Sequence, residues 1–186
     1  MARLRYSAIA SLDGFVSDAD GRFDWAAPDD EVHAHVNDRE RAIGTFLLGR
    51  RTYEVMTPWE TDPSLAADGP TMADFAALWQ AADKVVFSRT LKEPLTARTS
   101  VEPEFDPALV RELKASSGRD IAIGGPTLAE HALRAGLVDA IDLYLVPVII
   151  GSGLAALPAG LRLGLELLDE QRFANGTLHL SYAVLG

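Results

Sequence analysis

The stretch DIAIGGPTLAEHAL, residues 120–133, joins a buried-strand pattern to a helix start. Its apolar run ends at Ile123, as in a buried strand, and Gly124 and Gly125 follow directly. Pro126 then suits the first turn of a helix. Adjacent glycines before a helix expose successive amides at its positive end, which favours a pyrophosphate site. An ordinary βα turn is the alternative interpretation.

The stretch FLLGRRTYE, residues 46–54, repeats this junction. A buried strand ends at Gly49, where the backbone can turn tightly and approach a ligand. The Thr52 hydroxyl and the free amides of the next helix can bind a phosphate, and Arg50 or Arg51 can add charge-assisted hydrogen bonds. The alternative interpretation is a solvated arginine pair at an ordinary strand-helix junction.

A third strand, in KVVFSRTL at residues 84–91, ends at Ser88 and Arg89. Their hydroxyl and guanidinium are able to bind a terminal phosphate. Ligands of open α/β sheets bind beyond the carboxyl ends of the strands, and all three junctions fall there. The sequence thus places three phosphate-binding candidates along one edge of a sheet.

Strands alternate with helices for most of the chain, and Asn175-Gly176 between two apolar runs is typical of a closing hairpin. This pattern predicts an α/β fold with a mostly parallel, mixed sheet that ends in an antiparallel hairpin. We expect a single domain over residues 1–186, since no repeat or linker divides the chain. Residues 58–70 and the segment from Asp13 to Trp25 are expected to be loops.

A second glycine pattern, G-x-G-x-x-A at Gly151, Gly153 and Ala156, imitates a dinucleotide fingerprint. A true fingerprint opens a helix, whereas Pro158 and Gly160 interrupt this segment within about two turns. A βαβ crossover also needs about a dozen residues or more, for which there is no room. We therefore interpret it as a glycine-rich loop leaving a buried strand.

Composition narrows the class of protein. The chain has 17 basic and 27 acidic residues, a net charge of -10, which opposes non-specific binding to nucleic acid or anionic membranes. It has no cysteine, which excludes disulfides, cysteine-ligated zinc and thiol catalysis. No apolar run approaches the roughly 18 residues of a membrane span, and no signal peptide precedes the first strand. These features favour a cytoplasmic protein that acts on a small molecule.

Five short motifs follow one another along nearly the whole chain: Ser11-Leu12-Asp13-Gly14, Gly49 to Glu54, Ser88-Arg89, Ile123 to Leu128, and Leu143-Tyr144-Leu145. In this order they resemble the dihydrofolate reductase superfamily. The resemblance is closest to the carboxy-terminal reductase domain of the bifunctional riboflavin-biosynthesis deaminase-reductase and its stand-alone relatives. It implies a dihydrofolate reductase-like three-layer α/β/α fold. The absence of cysteine excludes the zinc deaminase half.

The resemblance implies NADPH as the cofactor. The 2′-phosphate would be bound by Arg50, Ser88 and Arg89, and the pyrophosphate by Thr52 and the Gly124-Gly125 turn. Ala8, Ile9 and Ala10 would lie near the nicotinamide. The full set of implied cofactor-binding residues is Ala10, Gly49, Arg50, Arg51, Thr52, Ser88, Arg89, Gly124, Gly125, Pro126, Thr127 and Leu128. A homodimer is implied as well, with the Gly151–Gly153 loop near the subunit contact.

The implied reaction is hydride transfer to a C=N or C=O carbon of a small heterocycle or sugar-derived imine. In the riboflavin pathway the family's substrate is 5-amino-6-(5-phosphoribosylamino)uracil. Two alternatives stay open: a protein that binds NADPH without catalysis, and a reductase of the dihydropteridine or dihydrofolate type.

A proton must reach the reduced substrate. Dihydrofolate reductases use a carboxylate on the helix after the first loop, and the closest match is Asp30, with Asp24 and Asp29 as rivals. Asp13, beside the expected nicotinamide pocket, is a comparable candidate. Trp25 is a candidate to stack on a flat substrate, so Asp13, Trp25 and Asp30 form the predicted substrate contacts. Acidic residues also suit any helix start, which explains Asp30 without catalysis.

The histidines do not predict a metal site. His33 and His35 diverge by about 200° on a helix and cannot bind one ion from a single face. We interpret them as polar helix surface. His131 and His179 form no metal-ligand spacing motif with a carboxylate or cysteine in the sequence.

Overall fold

An eight-stranded sheet forms the middle of the computed structural model, which describes Met1–Gly186. The strands of the fold are β1 (Leu4–Ser11), β2 (Phe15–Asp18), β3 (Ile43–Gly49), β4 (Asp83–Phe87), β5 (Thr99–Glu102), β6 (Asp120–Gly124), β7 (Ala140–Val146), β8 (Gly153–Ala155), β9 (Gly164–Arg172) and β10 (Leu178–Leu185). The sheet order is β5-β4-β3-β6-β1-β7-β10-β9. Strands from β5 to β7 are parallel, and β10 is antiparallel to both β7 and β9. The predicted mixed sheet with a final hairpin is confirmed.

Helices cover both faces of this sheet. They are α1 (Asp30–Glu40), α2 (Arg50–Met56), α3 (Pro58–Thr61), α4 (Pro63–Ala67), α5 (Pro70–Ala81), α6 (Pro107–Ser116) and α7 (Pro126–Arg134), with a short 3-10 helix at Asp24–Ala26. Successive residues of a strand point to opposite faces. Leu47 therefore packs with Val110 and Ala129 on the side of α6 and α7, whereas Phe46 packs with Phe75 on the side of α5. Three layers result.

The prediction of a loop over residues 58–70 is wrong, because α3 and α4 lie within it. Pro58 and Pro63 each occupy a first-turn position, where the fixed proline φ suits a helix. The Asp62 carboxylate accepts a hydrogen bond from the Ser64 amide and caps α4. These local signals start two very short helices.

The segment from Asp13 to Trp25 is not wholly loop either. Strand β2 pairs antiparallel with β8, and Gly153 lies in that pairing at φ 154°. A Cβ on Gly153 would collide with the Ser17 carbonyl oxygen. This glycine is therefore required by close strand contact. No helix follows it, so the fingerprint interpretation stays excluded.

Strand β9 is one of the two edge strands of the sheet, opposite β5, and all nine of its residues are exposed. Its leucines Leu165, Leu167 and Leu168 are 40–52% exposed. None of the helices combines the length and apolarity needed to cross a membrane.

Candidate active site

A cavity of about 600 Å³ opens on the face of the sheet that α1 and α5 cover. Of its 25 lining residues, 17 are hydrophobic. Its largest apolar side chains are Phe23, Phe46, Met56, Trp59, Met72, Phe75 and Trp79. Ala8 and Ile9 of β1 and the Gly124-Gly125 turn line it as well. A large apolar cavity with few polar groups is typical of a small-molecule site.

The Gly124-Gly125 turn has no room for a side chain at either glycine. Gly125 has φ 88°, and a Cβ there would lie 2.5 Å from Thr52 Oγ1. A Cβ on Gly124 would lie 2.8 Å from Leu48 Cδ2. The backbone amides that precede α7 therefore lie directly beside the first turn of α2, and both contribute to the cavity wall. This half-buried backbone at the start of α7 fits a pyrophosphate.

Two of the three predicted 2′-phosphate residues, Arg50 and Ser88, meet beyond β3 and β4. Arg50 donates from Nη1 to Thr90 Oγ1 at 2.6 Å and from Nε to Glu54 Oε1 at 2.7 Å. The Ser88 hydroxyl accepts hydrogen bonds from the backbone amides of Thr90, at 3.2 Å, and Leu91, at 3.0 Å. Thr90 is thus part of this cluster, and sequence reasoning missed it although it directly follows Ser88-Arg89.

Other predicted cofactor residues vary in position. Arg89 is paired with Glu104 at 2.8 Å, with both side chains more than two-thirds exposed. The Arg51 guanidinium instead contacts the Gly21 carbonyl at 3.4 Å. Gly49 precedes α2 with open space around it, Pro126 and Thr127 begin α7, and Ala10 and Leu128 are buried in the fold without lining the cavity.

The order of the strands places these groups in line. Strands β4, β3, β6 and β1 are direct neighbours. Ser88 follows β4, Arg50 follows β3, Gly125 follows β6 and Ile9 lies in β1. With a strand spacing of about 4.8 Å, this edge extends about 14 Å. It matches an extended ligand with a charged end beyond β4 and a flat end at the cavity.

The three residues predicted to contact substrate do not line the cavity. The Asp13 carboxylate accepts from the amides of Ile150, at 3.2 Å, and Gly151, at 2.7 Å. A hydrogen bond from Ser11 is the main reason that the pKa of Asp13 is lowered. Asp30 is exposed in the first turn of α1, and Trp25 is half-buried beside the cavity residues Asp24 and Ala26. Their substrate roles stay predictions.

Glu40, the last residue of α1, lines the cavity and was missed by sequence reasoning. Burial raises its pKa to about 7, partly opposed by the charges of Arg5 and Arg39. Its Oε2 is buried without a hydrogen-bond partner. A carboxyl with a pKa near neutrality can both keep and release a proton. The sequence signal that could have identified Glu40 is its spacing from His33 and Val36. These residues recur every three to four positions and therefore lie on one helix face.

The interpretation of His33 as polar helix surface is wrong. His33 is only 8% exposed, and its ring lies edge-on to Trp59 with centroids 5.7 Å apart. Burial lowers its pKa, so the imidazole is neutral at pH 7. His35 points elsewhere, toward Tyr144, as the predicted divergence on the helix requires. His33 thus adds a neutral polar group to the cavity wall.

A buried charge cluster lies behind the cavity on the same sheet face. Asp142 is 2% exposed and accepts from Arg5 at 2.9 Å, Arg39 at 2.8 Å and His179 Nε2 at 3.0 Å. Burial alone would raise the pKa of Asp142, but these three partners lower it well below its usual range. His179 therefore has a carboxylate partner in space. Tyr144, which lines the cavity, has its hydroxyl 3.0 Å from His35 Nδ1.

We expect Glu40→Gln to flatten the pH dependence of stability between pH 5 and 8. The pKa of Glu40 rises from its ordinary 4.5 to about 7 on folding, so the folded state binds more protons between these values. Glu40 therefore makes the wild type lose stability as pH rises, by about 3 kcal/mol in total. Urea unfolding at both pH values measures this loss. Glu112→Gln, an exposed carboxyl on α6, is the control. An unchanged pH slope in Glu40→Gln would contradict the burial argument.

Comparisons with known proteins agree with the fold. A model of the RibD C-terminal domain matches residues 2–179. The uncharacterized protein YyaP of Bacillus subtilis is 27% identical over 182 residues, 97% of this chain and 94% of that protein. A putative riboflavin biosynthesis protein from Shewanella sp. PV-4 superposes with a TM-score of 0.74 at 17% identity, over 100% of both chains. A diaminohydroxyphosphoribosylaminopyrimidine deaminase/5-amino-6-(5-phosphoribosylamino)uracil reductase from Thermotoga maritima superposes at 0.67 with 13% identity, over 99% of this chain and 57% of that one.

Proposed function

The chain belongs to the RibD C-terminal domain family, and on that premise we propose that it is an NADPH-dependent reductase of a small, flat heterocycle or imine. One observation carries the proposal. The closed glycine turn, the Arg50–Ser88–Thr90 cluster and the apolar cavity lie on neighbouring strands at one sheet edge. A phosphate-binding track that ends at an apolar cavity fits a dinucleotide and a second flat molecule.

A reduced nicotinamide supplies a hydride when bound. The chain contributes binding and orientation. Amides at the Gly124-Gly125 turn bind the pyrophosphate, and Arg50 with Ser88 binds the 2′-phosphate. The apolar lining keeps water away from the reacting carbon, which strengthens each polar contact inside the cavity.

We propose that the Glu40 carboxyl donates the proton that the reduced substrate needs. Its carboxyl lies in the cavity wall and has a pKa of about 7, so a large fraction is protonated at neutral pH. A general acid works best when its pKa lies near the working pH. Asp30 and Asp13 remain the alternatives, although neither lines the cavity. Neutral His33 is placed to orient the substrate by a hydrogen bond.

The cavity favours a substrate without a phosphate. None of its 25 lining residues is a lysine or an arginine, and Asp24 and Glu40 are acidic. Away from the helix N-terminus at the glycine turn, a buried phosphate would need a cationic partner. We therefore propose an uncharged or cationic acceptor, such as a pterin, an unphosphorylated pyrimidine or a carbonyl compound. The phosphorylated uracil named for the Thermotoga maritima relative is the alternative that the same assay tests.

The test of this function is a paired titration with NADPH and NADH, followed by an NADPH oxidation assay on such a panel of acceptors. Calorimetry and tryptophan fluorescence both report binding, since Trp59 and Trp79 line the cavity. Tight NADPH binding with turnover supports a reductase. Tight binding without turnover on any acceptor would favour the non-catalytic alternative, and no binding would contradict the proposal.

We expect Arg50→Ala and Arg89→Ala each to weaken NADPH binding by about 1–3 kcal/mol, with little change for NADH, because only NADPH carries the 2′-phosphate. Calorimetric dissociation constants for both cofactors measure the effect. Arg111→Ala, an exposed arginine on α6, is the matched control. Equal losses for the two cofactors would remove the 2′-phosphate assignment.

We also propose that the chain forms a homodimer. The support is strand β9, an unpaired edge with exposed leucines at 165, 167 and 168. An exposed apolar edge strand is a template for pairing with a second chain.

A further inference from the structure

Three metal-ligating side chains converge beneath α1, on the side of Tyr144 away from the glycine turn. They are His35 of α1, Asp169 of β9 and His179 of β10. One ligand atom from each lies within 4.8 Å of one from each of the others. The two imidazole rings have centroids 4.6 Å apart.

The backbone dictates this convergence. Asp169 pairs with Ser181 across the hairpin, and His179 lies two residues from Ser181 on β10, so all three point to one face of the sheet. Helix α1 crosses that face, since Arg39 donates to the Ser181 hydroxyl at 2.9 Å. His35 lies one turn before Arg39 and therefore faces the same surface.

The hydrogen bonds of His179 identify its free nitrogen. Asp142 is ion-paired with two arginines and can only accept, so His179 Nε2 donates to it at 3.0 Å. The lone pair is then on Nδ1, which is buried and has no partner in a side chain that is 0% exposed. A buried polar atom without a partner calls for an explanation, such as a bound ion.

His35 also has one nitrogen available. Its Nδ1 is 3.0 Å from the Tyr144 hydroxyl, and no hydrogen bond is formed at its Nε2. The Asp169 side chain is 53% exposed, and its closest cation, Arg39, is 3.9 Å away. This carboxylate is therefore free to turn toward the two imidazoles.

We propose that His35, Asp169 and His179 bind a divalent transition-metal ion of the Zn²⁺ type. Two imidazoles and one carboxylate form a set that Zn²⁺ accepts, with a fourth position left for water. The Asp142–His179 hydrogen bond is the outer contact that orients a metal-binding imidazole. Tetrahedral Zn²⁺ brings ligand atoms to about 3.4 Å from one another, so His35 and Asp169 must close in by rotation of their side chains.

A metal ion bound at this site would change the hydrogen bonding of Tyr144, which lines the cavity. With Nε2 of His35 bound to the ion, the ring proton is on Nδ1 and is donated to the Tyr144 oxygen. The Tyr144 hydroxyl then keeps its own proton for another acceptor, and Tyr144 lines the cavity. The ion also joins α1 to the terminal hairpin.

The experiment titrates the full chain, first stripped with EDTA, with Zn²⁺ by calorimetry and with Co²⁺ by visible absorption. We expect one saturable equivalent and the intense visible bands of low-coordinate Co²⁺. His35→Gln and Asp169→Asn should each weaken Zn²⁺ binding at least tenfold, because each removes a ligand. Asp142→Asn should weaken it about 10- to 100-fold through loss of the outer contact.

Matched variants separate this site from surface binding. Glu170→Gln changes the neighbouring carboxyl of β9, which pairs with Leu180 and points to the opposite face, and His131→Gln removes an exposed histidine. Both should bind Zn²⁺ as the wild type does. Asp169 is exposed, so Asp169→Asn should keep the wild-type melting temperature in EDTA. The proposal is overturned if the wild type shows no saturable site, or if Asp169→Asn binds as tightly as Glu170→Gln.

Discussion

Gly125→Val should raise the NADPH dissociation constant at least a hundredfold. Gly125 has φ 88° and ψ 128°, a backbone conformation that costs an ordinary residue about 1–3 kcal/mol. The new Cβ would also lie 2.5 Å from Thr52 Oγ1, so Thr52 or the turn must move. Either movement displaces the amides proposed to bind the pyrophosphate. The hundredfold loss corresponds to about 2.7 kcal/mol and is measured by calorimetry.

Two further variants make this result interpretable. Gly118→Ala adds a side chain at a glycine with open space and ordinary φ, and it should bind NADPH normally. Gly153→Val should break the β2–β8 pairing, so a lower melting temperature should accompany any loss of binding. If Gly125→Val folds normally and binds NADPH within threefold of the wild type, the turn does not bind the cofactor.

Asp142→Ala should lower the free energy of unfolding by about 3–5 kcal/mol, because it leaves Arg5 and Arg39 without their buried partner. His179 Nε2 also loses its acceptor. Urea or thermal unfolding measures the loss. Asp38→Ala removes an exposed ion pair with Arg41 and should cost no more than about 1 kcal/mol. A similar cost for both variants would contradict the buried-cluster argument.

The Asp142 carboxylate also makes the stability of the wild type fall at acidic pH. The pKa of Asp142 is lowered on folding, so its contribution is fully present above the ordinary aspartate value of about 3.9. It is lost as pH falls below that value and through the lower folded-state pKa. We expect the stability of Asp142→Asn to fall less steeply below pH 4 than that of the wild type.

The sheet and the glycine turn could be predicted because their signals are local. A strand, two glycines and Pro126 are consecutive in the chain, and they predict a βα junction without knowledge of any distant segment. The resemblance to the reductase family assigned Thr52 to the same site, since the local pattern shows only that a helix follows a strand there. In the structure these two junctions lie side by side, since β3 pairs with β6.

The missed residues depend on contacts between distant segments. The spacing of His33, Val36 and Glu40 puts them on one face of α1, but only the packing of that helix across the sheet makes this face point inward. His179 meets Asp142 across 37 residues, through the pairing of β7 with β10. Strand β8 has only three residues, all exposed, and forms because β2 returns beside it. Pattern alone contains none of these distances.

Strand β1 pairs with strands that are synthesised much later than itself. Although β1 is the first strand in the chain, its partners are β6 and β7, and Leu4 lies opposite Ile121. During synthesis β1 must wait, with its apolar side chains uncovered, until the chain through β6 has left the ribosome. Such distant pairings slow folding and expose the nascent chain to aggregation. The part of the core around β1 therefore forms late, which gives chaperones a long opportunity to act on this strand.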